Sequence, residues 1–516
     1  MRTLLINPPY PLTEWPSMPL GLGYIAAVLE KNGFEVEVLD LLMSQYSEEK
    51  VYRCMAEFRP EVVGVTAVTM NYPISSNILR LCKRFDENAI TVIGGPHVTF
   101  CAEQTLREAP WIDIVARGEG EYTMLDIVSG KKLPEIEGLV FRKEDGVVTT
   151  PDRPWIENLD ELPSPARHLF PLSKYRAFSA GGSLITGRGC PFNCIFCSGH
   201  RMTGRRVRLR NPKLVVDEMQ LVQELGFDEI YVEDDLLTLN HKHVNAICDE
   251  IVNRGLKIKW NAFSRVDTVN RELMRKMKQA GCFGLLYGVE SGNQEILDRA
   301  KKKITLEKVR QAVALANELG VKAVGSFILG LPGETRDTMR QSYDFARQLG
   351  TPYGFHVLAP FPGTEVREKA EEYGITILTD EWSQYDANRA VTATPDAGPR
   401  EVRETLRQYY SEVRRYIRYQ DTQARAGGLS GAEMDEVRLR HRRRFVWSLV
   451  KNDRIENLGP LEMGESPTKD LALRLAESLS LPLHQAEEQA VELEAEGLLV
   501  PQVVDSHVLW SWSRPS

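Results

Sequence analysis

The sequence predicts an α/β fold built on a doubly wound parallel sheet, followed by further strand–helix repeats and a mainly helical end. Three observations carry that reading. The first 150 residues alternate short apolar runs with stretches of helical spacing, the pattern of a parallel sheet covered on both faces. From about residue 180 to 400 the alternation resumes, and each apolar run ends in polar or Gly/Pro residues. After residue 401 long charged helical patterns take over. A chain of 516 residues exceeds one core, and it divides into residues 1–150, a Pro-containing linker 151–178, a second unit 179–400 and a C-terminal region 401–516.

Hydrophobic content of 42% and charged content of 26% are ordinary for a globular chain. A net charge of -8 and a pI near 5.8 argue against a general nucleic-acid binder, so no nucleic-acid partner is expected. No apolar run reaches the roughly 18 residues a membrane span needs, and the N-terminal MRTLLINPPYPL lacks the long apolar core of a signal peptide. The expected location is cytoplasmic.

In the first unit, residues 3–9 (TLLINPP) form an apolar run closed by two prolines, as a buried parallel strand would be. LGLGYIAAVLEKNGF then places Leu22, Ile25, Ala26 and Leu29 on one helical face, with Gly33 as its stop. VEVLDL, VVGVTAV and ITVIGGPHV read as further strands. Sheets of this kind bind ligands outside the carboxyl ends of their strands. Here those ends carry Asn7-Pro8-Pro9, the stretch 66–69 with Thr66, Val68 and Thr69, Gly94-Gly95-Pro96-His97, and RGEGE with Gly118 and Glu119. Four such loops on one edge predict a binding crevice. No G-x-G-x-x-G follows the first strand, which argues against a dinucleotide. His97, alone on its loop, reads as a polar contact before it reads as a metal ligand.

The second unit opens on an apolar strand at 183–186 that runs into TGRGCPFNCIFCSGH. Cys190, Cys194 and Cys197 are spaced C-x3-C-x2-C in a loop rich in Gly, Pro and Asn, whose backbone can wrap an inorganic centre. The other five of the eight cysteines, Cys54, Cys82, Cys101, Cys248 and Cys282, sit among apolar or helical neighbours and read as core thiols. Three thiolates can hold three irons of a [4Fe–4S] cluster and leave the fourth open to an outside ligand. A zinc site is the alternative, with His200 as fourth ligand. Downstream, EIYVEDDLLT ends in Glu233, Asp234 and Asp235, and KIKWNAFSRVD in Ser264, Arg265 and Asp267. FGLLYGVESG ends in Glu290, Ser291 and Gly292, VKAVGSFILGLPGET in a turn with Gly330 and Pro332, and FHVLAPFPGTE in residues 360–364.

CPFNCIFC, with Phe196 immediately before the third cysteine, is similar to the cysteine motif of the radical S-adenosylmethionine (radical SAM) superfamily. INPPY, the P-L-G-L-G-Y-I-A-A-x-L-E helix, GGPH and RGEGE together resemble the cobalamin-binding domain that precedes the catalytic unit in many of those enzymes. The resemblance covers about three quarters of the chain. It implies a partial (β/α)6 barrel of TIM type, with the active site at the carboxyl ends of the strands. It also implies a [4Fe–4S] cluster on Cys190, Cys194 and Cys197 whose open iron is chelated by S-adenosylmethionine. One electron then cleaves the sulfonium to methionine and a 5′-deoxyadenosyl radical, and a fourth cysteine would block that site.

On the same resemblance, Phe196, Asp234, Asp235, Ser264, Arg265, Glu290, Ser291, Gly330 and Pro332 are expected to contact S-adenosylmethionine. Asp234 and Asp235 would accept from its ammonium, Arg265 would pair with its carboxylate, and Glu290 would accept from the ribose hydroxyls. Cobalamin is expected on Asn7, Pro8, Pro9, Thr66, Val68, Thr69, Gly94, Gly95, Pro96, His97, Gly118 and Glu119. The D-x-H-x-x-G motif that sets a histidine beneath cobalt in other cobalamin modules is absent, so no protein imidazole is expected there. An external one-electron reductant of the flavodoxin or ferredoxin type is implied as a partner. The implied activity is a cobalamin-dependent methyl transfer to an unactivated carbon. A cyclase, rearrangement or oxygen-insertion enzyme with the same cofactors is the alternative, and a cobalamin- or redox-sensing protein the alternative of another class.

In the C-terminal region, EVRETLRQYYSEVRRYIRYQ carries Val402, Leu406, Tyr409, Tyr410, Val413 and Ile417 on a broad apolar stripe. The basic run at 438–449 reads as a solvated helix face beside Phe445, Val446 and Trp447. Residues 466–502 read as helix, turn, helix and short strand, with VLWSW as a hairpin partner, the pattern of a winged helix. Its second helix carries Glu487, Glu488, Glu492, Glu494 and Glu496, which would repel phosphates. The module is therefore expected to contact protein or substrate, and it favours a large substrate such as a peptide or protein.

Overall fold

The computed structural model describes residues 1–10, 16–143, 146–462, 464 and 466–513. The first apolar run is β1 (Thr3–Asn7), buried along its whole length. It joins β2 (Val36–Asp40), β3 (Val62–Thr66), β4 (Ile90–Gly94), β5 (Ile114–Ala116), β6 (Leu139–Lys143) and β7 (Gly146–Thr149) in a sheet of order 2-1-3-4-5-6-7. Neighbours among the first five are parallel, and β6 and β7 add antiparallel to the edge. Strand alternation splits the apolar side chains between two cores. Leu4, Ile6, Val63 and Val65 fill the core on one face, whereas Leu5, Val62, Val92 and Ile114 join a core that continues into the rest of the molecule. The chain leaves β1 for β2 on one side and returns to β3 on the other, so the carboxyl ends of β1 and β3 bound the crevice where such sheets bind ligands.

Residues 151–178 are a packed strap rather than a free linker. Phe170 and Tyr175 are buried, the Tyr175 hydroxyl donates to Asp40 at 2.6 Å, and Arg167 pairs with Glu218 at 2.6 Å. Aromatic anchors of this kind hold a Pro-containing segment against both units.

The second unit starts with β8 (Gly182–Leu184). Next come β9 (Gly187–Arg188) and β10 (Arg208–Leu209), an antiparallel pair that closes the cysteine loop at its neck. Five longer strands follow: β11 (Glu229–Val232), β12 (Lys259–Ser264), β13 (Cys282–Glu290), β14 (Lys322–Leu329) and β15 (Tyr353–Val357). With β8 they form an open, all-parallel sheet of order 8-11-12-13-14-15, the six strands of a partial barrel. A register shift between Gly288 and Glu290 leaves Glu290 at φ 71°, a backbone state unusual for a residue with a side chain. A short ribbon of β16 (Thr376–Ile377) and β17 (Thr392–Ala393) closes the unit.

The helices Pro399–Ala426 and Gly431–Val450 then form a long hairpin. β18 (Leu461–Glu462), two helices, β19 (Leu499–Val504) and β20 (His507–Trp512) follow, with sheet order 18-20-19, a winged-helix arrangement. The basic run is not simply a solvated face. Arg440 reaches Asp421 and Gln420, Arg442 holds Glu496 and the Ala177 carbonyl, and Arg443 caps the carbonyls of Phe178 and Ser179. Guanidinium groups satisfy carbonyls left open at a helix end, and a charge count along the sequence cannot foresee that. Among the described residues, no helix is long and apolar enough to cross a membrane.

Candidate functional site

Cys190, Cys194 and Cys197 lie on one loop at the carboxyl end of β8. Its backbone is tied at Ile195, whose N–H donates to the Ala300 carbonyl at 3.2 Å and whose carbonyl accepts from Val366 N–H at 2.9 Å. Burial pushes the Cys190 and Cys194 thiols above their ordinary range. Their deprotonation therefore has to be driven by the metal they bind. Among the described residues, no three His, Cys, Asp or Glu side chains stand close enough together to hold a single ion. Two cations stand beside Cys194: Arg265, with a guanidinium nitrogen 4.0 Å from Sγ, and Lys302. Positive charge there suits an anionic iron–thiolate centre.

Each residue expected around S-adenosylmethionine has a definite place. Asp234 is committed internally: Thr186 N–H and Oγ donate to it at 2.6 and 2.5 Å and Gly187 N–H at 3.3 Å, while burial raises its carboxyl to about 6. It braces the entry to the cysteine loop. Asp235 is exposed, accepts from Gly189 N–H at 2.8 Å, and lines a large cavity. Arg265 already makes a forked pair with Asp267 at 2.9 and 3.0 Å and stacks 3.6 Å from the Phe192 ring centre. Glu290 pairs with Lys302 at 2.6 Å. Ser264 contacts Thr238 at 2.7 Å and Ser291 contacts Ser342 at 3.1 Å, both buried. Phe196 packs on Ile195, Leu331 and Leu358, the core under the LPGE turn. That turn, with Gly330 at φ 89° and Pro332, is held by Glu334, whose carboxylate accepts from the N–H groups of Gly330 and Leu331.

The cavity, of about 490 Å³, opens between the two units. Asn7, Thr66, Gly94, Gly95, Pro96, Gly118 and Glu119 line it from the first sheet, and Ile185, Gly187, Arg188, Glu233 and Asp235 from the barrel. The remaining residues expected on cobalamin, Pro8, Pro9, Val68, Thr69 and His97, are not in its wall. His97 is buried between Tyr72 and Trp382, with ring centres 4.4 and 4.9 Å away, and burial lowers its pKa to about 4. Gly95 carries φ 101°, and a Cβ there would meet the Ala67 carbonyl at 2.7 Å, so only glycine fits. Glycines and apolar side chains such as Leu5, Met18, Leu20 and Met124 make this wall a cradle for a large, mostly apolar-faced group.

Sequence reasoning missed several wall residues. Arg188 bridges Glu119 at 2.9 Å and Glu121 at 2.6 Å, and Arg208 also pairs with Glu119 at 2.9 Å. Burial alone would raise the Glu119 carboxyl, but the two arginines and the Ile156 N–H hold it below the usual range. The RGEGE stretch, expected only as a ligand loop, therefore also ties the first sheet to the cysteine loop. Two acidic residues two apart, facing an arginine two before a cysteine, was the available signal.

Residues 184–346 match the Radical SAM superfamily and residues 15–128 the B12 binding domain. An uncharacterized methyltransferase of Pyrococcus horikoshii is 36% identical over 422 residues, 80% of this chain and 92% of that protein. The chain belongs to the radical SAM superfamily. It is a cobalamin-dependent radical SAM enzyme, with a [4Fe–4S] cluster, S-adenosylmethionine and cobalamin as its cofactors. It is also similar to the anaerobic magnesium-protoporphyrin IX monomethyl ester cyclase of Rubrivivax gelatinosus, 30% identical over 441 residues, 81% of this chain and 77% of that one. The fold is shared with the radical SAM methyltransferase TsrM of Kitasatospora setae, solved with cobalamin and a [4Fe–4S] cluster, at a TM-score of 0.66 and 20% identity over 96% of this chain and 99% of that one.

Proposed function

We propose that this radical SAM enzyme transfers a methyl group to an unactivated carbon of its substrate. One observation carries the reading: a single cavity is walled by the ligand-binding edge of the cobalamin domain and by the loops that follow the first two barrel strands. A methyl source and a radical source brought to one chamber is what such a transfer needs. When bound, the cluster would supply the electron that opens S-adenosylmethionine and cobalamin would supply the methyl group; of the residues expected around S-adenosylmethionine, Asp235 is the one in the cavity wall. The chain's own residues hold and shield. Cys190, Cys194 and Cys197 would ligate the cluster, with Arg265 and Lys302 offsetting its charge. Phe196, Asp235, Glu290, Gly330 and Pro332 would seat S-adenosylmethionine, Asp235 having the exposed carboxylate for its ammonium. Asp234, Ser264 and Ser291 would act by fixing the loops that carry these contacts. Gly94 and Gly95 would let the corrinoid approach the sheet edge, and Tyr24, Met18 and Met202 would exclude water. An external one-electron donor protein completes the reaction.

The similarity to the anaerobic ring cyclase supports a second reading, oxidative cyclisation with the same cofactors. Anaerobic reconstitution with iron, sulfide and hydroxocobalamin, then dithionite and S-adenosylmethionine, separates the two by mass spectrometry. Deoxyadenosine together with S-adenosylhomocysteine and methylcobalamin is the expected result. Deoxyadenosine without S-adenosylhomocysteine moves the assignment to the cyclase class. The triple variant Cys190→Ala, Cys194→Ala, Cys197→Ala should yield no deoxyadenosine, and persistent formation would overturn the cluster assignment.

A further inference from the structure

The helical hairpin runs against the charge of the molecule. Residues 399–450 hold twelve arginines against seven carboxylates and no lysine, in a chain whose net charge is -8. In the 28-residue helix Pro399–Ala426 the carboxylates are all used locally. Glu401 caps the Gly398 N–H, Glu404 pairs with Arg336 and Arg400, Glu412 with Arg347, and Asp421 with Arg440. Arg403, Arg407, Arg414, Arg415 and Arg425 are exposed, and among the described residues none has a carboxylate partner. Among the described residues, exposed Arg418 makes a single side-chain contact, to the Arg414 carbonyl. Uncompensated arginines at this density contrast with the hairpin's second helix, where Arg440, Arg442 and Arg443 are spent on other elements.

A second feature interleaves with the first. The strongly exposed large apolar side chains of this helix are all tyrosines: Tyr410 at 38%, Tyr416 at 55% and Tyr419 at 57% exposure. Aliphatic side chains of the apolar stripe, Val402 and Leu406 among them, face inward. An amphipathic helix built to lie on a membrane would instead expose Leu, Phe or Trp beside its basic residues. Planar cations set beside open aromatic faces match another chemistry: guanidinium forks take phosphates, and both guanidinium planes and tyrosine rings stack on unpaired bases. From Arg403 to Arg425 the helix rises about 33 Å, within the reach of a single-strand site of roughly 4–16 nucleotides.

We propose that the exposed stripe of helix Pro399–Ala426 formed by Arg403, Arg407, Tyr410, Arg414 and Arg418, each three or four residues from the next, and continued by Arg425, binds single-stranded nucleic acid, its arginines on the phosphodiester backbone and Tyr410 on an unpaired base. The expectation against nucleic acid rests on whole-chain charge and on the acidic helix Leu483–Ala495, and neither describes this face. The site does not depend on which product the enzyme forms. The test is fluorescence anisotropy of the full chain with labelled 12-mers of oligo(U), oligo(dT) and a 12-base-pair DNA duplex. Oligo(U) and oligo(dT) should bind and the duplex should bind at least tenfold more weakly; preference between the two strands tells RNA from DNA. Neutralising about five phosphates gives a slope near -3.5 in log K against log salt, about a hundredfold between 50 and 200 mM. Arg414→Glu, Arg415→Glu and Arg418→Glu together should abolish binding. Tyr410→Ala should weaken it about tenfold with the salt slope unchanged, because stacking carries no counterions. These side chains face solvent, so the thermal midpoint should hold in both variants. No binding at 50 mM salt, equal binding of the duplex, or capture by phosphatidylglycerol vesicles instead of the oligonucleotides would each overturn the proposal.

Discussion

At the scale of single residues, Glu334 shows how the fold holds the turn at Gly330 and Pro332 at a cost. Its carboxyl is fully buried, one oxygen takes two backbone N–H groups, and the other has no partner. Burial raises its pKa to about 8 from an ordinary 4.5. The folded state then keeps a proton that the unfolded chain gives up, so stability present below about 4.5 is lost as pH rises through about 8. Each unit of pH in that window is worth at most about 1.4 kcal/mol. Glu334→Gln cannot titrate, so the stability of the parent relative to this variant should decline from pH 5 to 8 in parallel urea unfolding curves. A constant difference would mean the carboxyl is already ionised at pH 5. A second residue-scale expectation concerns cobalt. Among the described residues the cavity wall contains no histidine, and His97 is turned between Tyr72 and Trp382. The cob(II)alamin form should therefore show no imidazole nitrogen splitting in its electron paramagnetic resonance spectrum. Such splitting would contradict both the missing motif and the cavity wall.

At the scale of elements, the loops following the strands do the positioning, and one glycine can be asked to prove it. Gly95→Ala forces an L-residue to φ 101° and drives its Cβ onto the Ala67 carbonyl. The variant should retain cobalamin at least tenfold less well through gel filtration while its iron and sulfide content stays at the parent level. Undiminished cobalamin would mean the ligand does not approach this turn. Elements were the part of the molecule most legible in the sequence. Apolar runs marked four of the five parallel strands of the first sheet, whereas the three-residue β5 (Ile114–Ala116) went unread, and the apolar stretch before the C-x3-C-x2-C motif placed the cysteine loop after β8. What the sequence hid was orientation. Asp234 and Asp235 are neighbours in one EDD run, yet one braces Thr186 and the other faces the cavity, because successive side chains diverge as the chain leaves β11. Lys302 sits in a run of three lysines, and only the tertiary fold sets it against Glu290 and Cys194. Arg440, Arg442 and Arg443 were likewise legible as charge but not as staples.

At the scale of the whole molecule, the question is what keeps the cobalamin domain in register with the barrel. One core passes from Leu5 and Leu22 through Trp260 and Phe327 to Leu471 and Trp512, so the regions are not independent bodies. Two polar or aromatic contacts fix the seam near the cavity. The first is the buried group of Glu119, Glu121, Arg188 and Arg208. The second is the short helix Pro96–Phe100, which directly follows the Gly94-Gly95 turn. Its His97 meets Trp382 edge to face, and its Phe100 lies so close to Gly363 that a Cβ there would stand 2.3 Å from the ring. Arg201, four residues past Cys197, covers Phe100 at 5.2 Å and donates to the Gly363 carbonyl at 3.1 Å. One aromatic ring thus touches the cobalamin edge, the cysteine loop and the PFPGT loop. Removing it should disturb the spacing between the cofactor sites more than either site alone, and a misplacement of about 1 Å can cost up to a hundredfold in rate. Phe100→Ala should accordingly bind both cofactors and form deoxyadenosine at the parent rate, since that needs only the barrel. S-Adenosylhomocysteine and methylcobalamin, which need both units, should form at least tenfold more slowly. If the two products fall together, Phe100 supports folding rather than register. If neither falls, the ion-pair group holds the seam by itself, and Arg208→Met becomes the variant in which the same split must show.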